Sequence, residues 1–153
     1  MTEVILVDLQ DNPIGVMEKM LAHETGRLHR AFSIFIFNER EELLLHRRAL
    51  SKYHSPGLWT NTCCSHPMPD EDVLAAAHRR LKEEMGMSCT LVKTFEFVYH
   101  AELENNLIEH EFDHVFFGRS NDAPVINIEE VCEWKWMKLY DVYIDVELNP
   151  DNY

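Results

Sequence analysis

One stretch of this chain reads as a long helix, and nearly everything around it alternates as strands do. Pro69-Asp70-Glu71-Asp72 opens the stretch, with Asp70 as the expected cap and acids at the positive end of the helix dipole. Leu74, Ala77, Leu81 and Met85 then recur at helical spacing as an apolar stripe, and Gly86 stands where helices commonly end. The other periodic segments are strand-like: Glu3 to Asp8, Ile14 to Val16, Leu28 to Asn38, Glu42 to Arg48, Leu91 to His100, Ile108 to Arg119 and Val131 to Met137. Short helical pieces are expected at Glu18 to His23 and Asp141 to Leu148. A chain so built must lay its main helix, about residues 70–85, on a sheet.

With 153 residues the chain is long enough for one domain with a real core, expected to span 1–153, and no repeat or linker divides it. No apolar run approaches the ~18 residues of a membrane span, and no signal peptide opens the chain. The four cysteines, at 63, 64, 89 and 132, have no paired spacing and read as reduced thiols in a cytoplasm. A net charge of −13 argues against nucleic acid and anionic membrane as partners. Against that sign, six of the 14 Lys and Arg fall between Arg47 and Lys82. Two readings of that cluster stay open, a small anionic ligand and ordinary solvation of a helix face.

The segment from Trp59 to Pro67 carries a thiol, Cys64, two residues before an imidazole, His66. In an extended chain these face one way, and Cys63 faces the other. Glu109 and Glu111 share a side of their strand in the same manner, where two carboxylates repel unless a cation or a shared proton separates them. Their plain alternative is an exposed edge strand, and that of Cys64 is a small buried apolar residue. His23 and His29 lie six apart, which is not one helical face, although a turn at Gly26 can bring both inward. Arg80 and Glu84 share a helix face as an ion pair.

The helix, read as Glu71-x7-Arg79-Arg80-Leu81-Lys82-Glu83-Glu84-Met85-Gly86, resembles a degenerate Nudix box. Ser65 stands for its first glycine, and Arg80 for the glutamate after the first arginine. That loss puts magnesium-dependent hydrolysis in doubt. Five further motifs resemble the type I isopentenyl diphosphate isomerases, which are Nudix relatives. They are Glu18-Lys19-x-x-Ala22-His23, Leu28-His29-x-Ala31-Phe32-Ser33, Arg47-Arg48-Ala49-Leu50-Ser51-Lys52, Pro56-Gly57-x-Trp59-Thr60-Asn61-x-x-Cys64-x-His66-Pro67, and Glu109-x-Glu111. The resemblance covers nearly the whole chain.

It implies an α+β fold, a Nudix-like α/β/α sandwich with a central mixed sheet. It also implies isomerisation of isopentenyl to dimethylallyl diphosphate through a tertiary carbocation. His23, His29, His66, Glu109 and Glu111 would hold one divalent metal, and this donor mixture suits manganese, zinc or magnesium. Glu84 would help bind a second ion, magnesium, with the substrate diphosphate. Lys19, Arg48, Lys52 and Arg80 would hold that diphosphate. Cys64 and Glu111 would carry the two protons, with Tyr99 hydrogen-bonded near Glu111, and Trp59 is a candidate aromatic face for the cation. The partner is a small prenyl diphosphate, and the expected assembly is a monomer or weak homodimer. Family members usually continue into a C-terminal helical segment with a covering tryptophan, for which no match is found before Tyr153. A Nudix hydrolase acting on a nucleoside diphosphate derivative, and a non-catalytic prenyl-diphosphate-binding protein, are the alternatives.

Overall fold

A computed structural model describes residues 2–153. Nine strands form one branched mixed sheet: β1 (Glu3–Val7), β2 (Pro13–Glu18), β3 (His29–Phe37), β4 (Glu42–Arg48), β5 (Trp59–Thr60), β6 (Cys63–Ser65), β7 (Leu91–Glu102), β8 (Ile108–Arg119) and β9 (Val131–Lys138). Three α-helices among the described residues accompany it: α1 (Lys19–Thr25), α2 (Val73–Met85) and α3 (Leu139–Leu148). No helix among the described residues is long and apolar enough to cross a membrane.

β3 organises the sheet. It runs parallel to β8, pairing His29 with Glu111 and Phe37 with Arg119. On its other edge it pairs antiparallel with β6, placing Ser33 opposite Cys64. β8 is covered in turn by β7, with Tyr99 opposite Glu111 and Phe97 opposite Asp113. The glutamates therefore sit on an internal strand, and the edge-strand alternative fails. The β3–β4 hairpin is paired only at Phe37 and Leu43. Beyond that point the two strands part, and β6 pairs with β3 while β5 pairs with β4.

Strand alternation sorts the two faces. Phe32, Ile34 and Ile36 of β3 turn to one side, where Leu44, Cys63 and Phe116 join them against Ala76, Ala77, Leu81 and Met85 of α2. Each large apolar side chain buried there contributes about 1.5–3 kcal/mol. Two details of α2 differ from expectation. Asp72, not Asp70, caps the helix, its carboxylate accepting from the Ala75 amide at 3.1 Å. Asp70 instead occupies a left-handed turn before the helix, at φ 64°. Leu74 lies outside the buried stripe and is exposed, while Ala76 joins Ala77, Leu81 and Met85 on the buried face. Gly86 ends the helix as anticipated, at φ 62°.

Candidate active site and metal centre

The face of the sheet away from α2 carries the polar side chains. His29 and Ser33 from β3, Glu109, Glu111 and Asp113 from β8, Phe97 and Tyr99 from β7, and Cys64 beside His66 all fall on it by register. A cleft of about 520 Å³ opens over them.

At one end four donors converge. The side-chain donor atoms of His23, His29, His66 and Glu111 all lie within 4.8 Å of one another. The His29 Nδ1–H donates to the Arg27 carbonyl at 2.9 Å, and the His23 Nδ1–H donates to the Lys19 carbonyl at 2.8 Å. A carbonyl can only accept, so each ring, when neutral, presents a bare Nε2 lone pair to the centre. The His29 Nε2 lies 3.3 Å from the His66 Nε2 and 3.2 Å from the Glu111 carboxylate. The His23 Nε2 is buried without a hydrogen-bond partner. Acceptors gathered in this way call for a cation among them, and imidazole plus carboxylate is a donor set for a divalent transition metal or zinc. Glu109 stands outside this foursome but shares a second group with His23 and His54.

Electrostatics agree. Burial opposes ionisation of Glu111, but the close approach of the His29 and His66 rings outweighs it and holds the carboxyl well below its usual range. Glu109 is half-buried, and desolvation, with the charge of Glu111 next, pushes it up to about 7. The Tyr99 hydroxyl donates to Glu111 and lies 3.1 Å from Glu109. Burial and those two carboxylates raise the phenol far above its ordinary value, so it stays a donor.

Across the cleft, β6 presents Cys64 and turns Cys63 into the core, as strand parity anticipates. The Cys64 thiol donates to the Asn61 Oδ1 at 2.9 Å. The Asn61 amide nitrogen is committed to the Ile34 and Cys63 carbonyls, which fixes its oxygen toward the thiol. Cys64 opens onto the cleft, and desolvation by the walls around it, with the charge of Asp113 next, pushes the thiol up to about 12. Ser33 stands between, donating to Asp113 at 2.7 Å with its oxygen 3.6 Å from Cys64.

The cleft also has a basic lining. Lys19, Arg48, Lys52 and Arg80 all line it, together with Glu130. Glu130 accepts from Lys52 at 2.6 Å and lies 3.7 Å from Arg80. Burial, then the charge of Lys52, lowers the Lys19 pKa. Glu84 reaches the cleft from α2, but its oxygens are engaged by Arg80 at 3.0 Å and by the Cys63 thiol at 2.7 Å. It belongs to neither group of histidine and carboxylate donors. Trp59 lines the cleft, yet the Lys135 ammonium lies over its ring at 4.1 Å, so one face already carries a cation. The rings of Phe97 and Tyr99, stacked at 5.6 Å, are the further aromatic wall.

Sequence reasoning missed Ser33, Asn61, Phe97, Asp113 and Glu130. Asp113 and Phe97 were within reach of strand parity, being two residues from Glu111 and Tyr99. Glu130 carries no local signal.

Fold and donor arrangement define a Nudix-type protein, and residues 27–153 match the NUDIX domain family model. A Deinococcus radiodurans crystal structure superposes with a TM-score of 0.80 at 19% identity, covering 96% of this chain and 90% of that one. The MutT protein of Methanosarcina mazei superposes at 0.63 and 23% identity, covering 75% and 80%. Within that class, the chain belongs to the isopentenyl-diphosphate Delta-isomerase family. It is 57% identical over 151 residues to isopentenyl-diphosphate Delta-isomerase 1 of Aromatoleum aromaticum, covering 99% of this chain and 85% of the relative. Isopentenyl-diphosphate Delta-isomerase 2 of the same organism is 54% identical, with 99% and 80% covered. The Pectobacterium atrosepticum isomerase is 51% identical over 153 residues, with 100% and 86% covered.

Proposed function

We propose that this chain converts isopentenyl diphosphate to dimethylallyl diphosphate. The observation that carries the reading is that Cys64 and Glu111 line the same cleft as four cations, Lys19, Arg48, Lys52 and Arg80. The reaction adds a proton to an unactivated alkene and removes one from a neighbouring carbon. It needs two proton carriers facing a flat apolar fragment and a charged grip on the diphosphate.

The residues divide that work. Lys19, Arg48, Lys52 and Arg80 bind the diphosphate, and Glu84 would help hold a magnesium ion there. Cys64 stays a neutral thiol with its proton directed by Asn61, while Glu111 is ionised in the free protein. One carrier thus starts loaded and the other empty, as a transposition with no net gain of protons requires. Phe97 and Tyr99 present aromatic surface to the developing positive charge and keep water from trapping it. His23, His29, His66, Glu109 and Glu111 would hold the divalent ion, which when bound supplies fixed positive charge that orients Glu111 and tunes its acidity.

The hydrolase alternative is disfavoured by the same helix. Arg80 stands where the box has a glutamate, and its guanidinium bonds Glu83 at 2.7 Å and Glu84 at 3.0 Å. Incubation with isopentenyl diphosphate and magnesium in heavy water, read by NMR, tests the reading. Deuterated dimethylallyl diphosphate is expected, and Cys64→Ala should abolish it while metal binding persists. Release of phosphate instead, or full activity of Cys64→Ala, refutes the assignment.

A further inference from the structure

His54 lies outside the expected ligand set, yet its ring is turned into the metal centre. It stacks on His23 with centroids 5.8 Å apart and planes at 26°, and only 7% of the residue is exposed. The loop that carries it is anchored: Arg48 donates to the His54 carbonyl at 3.1 and 3.3 Å, and the Ser55 amide donates to Glu104. Its Nε2 lies 3.7 Å from the Glu109 Oε1. That is beyond hydrogen-bond range. It is also within the span of two donors on one ion. Ligands at about 2.1 Å from a shared ion lie about 3.0 Å apart when adjacent and about 4.2 Å when opposite.

His54, Glu109 and His23 form a group of donors within 4.8 Å of one another, and His23 belongs equally to the first foursome. The His23 Nδ1 is committed to the Lys19 carbonyl, so this ring has one lone pair to give. The two groups therefore describe two sides of one ion rather than two ions.

We propose that His54, together with Glu109, would complete the donor set of this ion as a sixth protein ligand, so that the ion carries no bound water. The inference rests on the metal reading made above. It has a chemical consequence. A six-coordinate ion saturated by side chains offers no water to activate, so this centre serves charge and orientation and not hydrolysis.

The test uses manganese(II) with the full chain, measuring affinity by titration and bound water by water-proton relaxation. Wild type is expected to bind manganese with relaxation near that of an ion without inner-sphere water. His54→Phe keeps a ring against His23 but removes the lone pair. It should bind at least about 10-fold more weakly and gain the relaxation of about one bound water. His54→Gln, which can still offer an oxygen, should fall between the two. Equal affinity and relaxation in wild type and His54→Phe overturns the sixth-ligand role while leaving the metal reading intact. A wild-type ion that already carries fast-exchanging water also overturns it. Failure of wild type to bind manganese, zinc or magnesium at all refutes the metal reading and this inference together.

Discussion

Replacing Asp113 with asparagine is expected to change stability by an amount that depends on pH. The Asp113 carboxyl is 4% exposed, accepts one hydrogen bond from Ser33 and leaves its Oδ1 without a partner. Burial, opposed only in part by Ser33, raises its pKa from 3.8 to about 7. An acid raised by folding binds more protons in the folded than in the unfolded state, so it costs stability as pH rises from about 4 to about 7, and the cost then levels off. From those two values the cost is under about 2 kcal/mol at pH 5 and about 4 kcal/mol at pH 8. Asparagine carries no such charge. Its amide nitrogen placed at the unpartnered Oδ1 position adds a penalty of about 1–3 kcal/mol that does not vary with pH. The difference between variant and wild type should therefore move by about 2–3 kcal/mol in favour of the variant between pH 5 and pH 8. In a domain of this size that is roughly 5–10 °C in Tm. Urea unfolding of both proteins at the two pH values, with chelator present so that no bound cation offsets the charge, measures it. A difference that is constant with pH, or that moves the other way, refutes the view that Asp113 is ionised only at a cost.

Arg80→Gln should destabilise the free protein by about 2–3 kcal/mol in urea unfolding, because it strips the cation from Glu84, 6% exposed and otherwise bonded only to Cys63. Gly86→Ala should cost more than about 1 kcal/mol, since φ is +62° and the added carbon would meet the Val125 carbonyl at 2.5 Å. Relieving that clash would have to shift backbone, so a neutral Gly86→Ala in thermal unfolding would mean the segment between β8 and β9 sits elsewhere. Removing metal with a chelator should lower Tm by roughly 5–10 °C relative to protein at 100 times the dissociation constant, a difference of about 2.7 kcal/mol. An unchanged Tm in His23→Ala on adding metal, against a rise in wild type, would confirm that the His23 lone pair is spent on the ion.

Strand parity made much of the site legible. It turned Cys64 and His66 one way and Cys63 the other, and it put Glu109 and Glu111 on one face, all as the structure has them. Helix boundaries came from Gly86 and the acidic opening, but the capping residue shifted from Asp70 to Asp72. The reason is local: a turn at Asp70 in the left-handed region delays the first helical hydrogen bond. His54 was legible only as a loop residue. Its approach to His23 depends on Arg48 holding the carbonyl of a loop residue six positions on, an irregular contact with no periodic trace. Glu130 is hidden by separation along the chain. It meets Lys52 across 78 residues of sequence.

The parting of β3 and β4 explains why a thiol and a carboxylate can face one cleft at all. Two strands joined by a tight hairpin would normally stay paired along their length. Here the pairing stops after Phe37 and Leu43, and the Thr62 hydroxyl occupies the fork. It accepts from the Ile36 amide at 2.9 Å and donates to the Leu44 carbonyl at 2.7 Å, satisfying one backbone group of each strand where they separate. Asn61 does the same for the Ile34 carbonyl. Backbone groups left open inside a core would cost about 1–3 kcal/mol each, so the fork exists because these two side chains close it. The segment that closes it continues directly into Cys64 and His66. The residues that stabilise the break in the sheet are thus the ones that deliver the thiol to one wall and an imidazole to the metal centre. Thr62→Val, which keeps the shape and removes both hydrogen bonds, should therefore reduce turnover as well as stability. If stability falls by about 2 kcal/mol while turnover per folded molecule is unchanged, the fork supports the fold but does not set the position of Cys64.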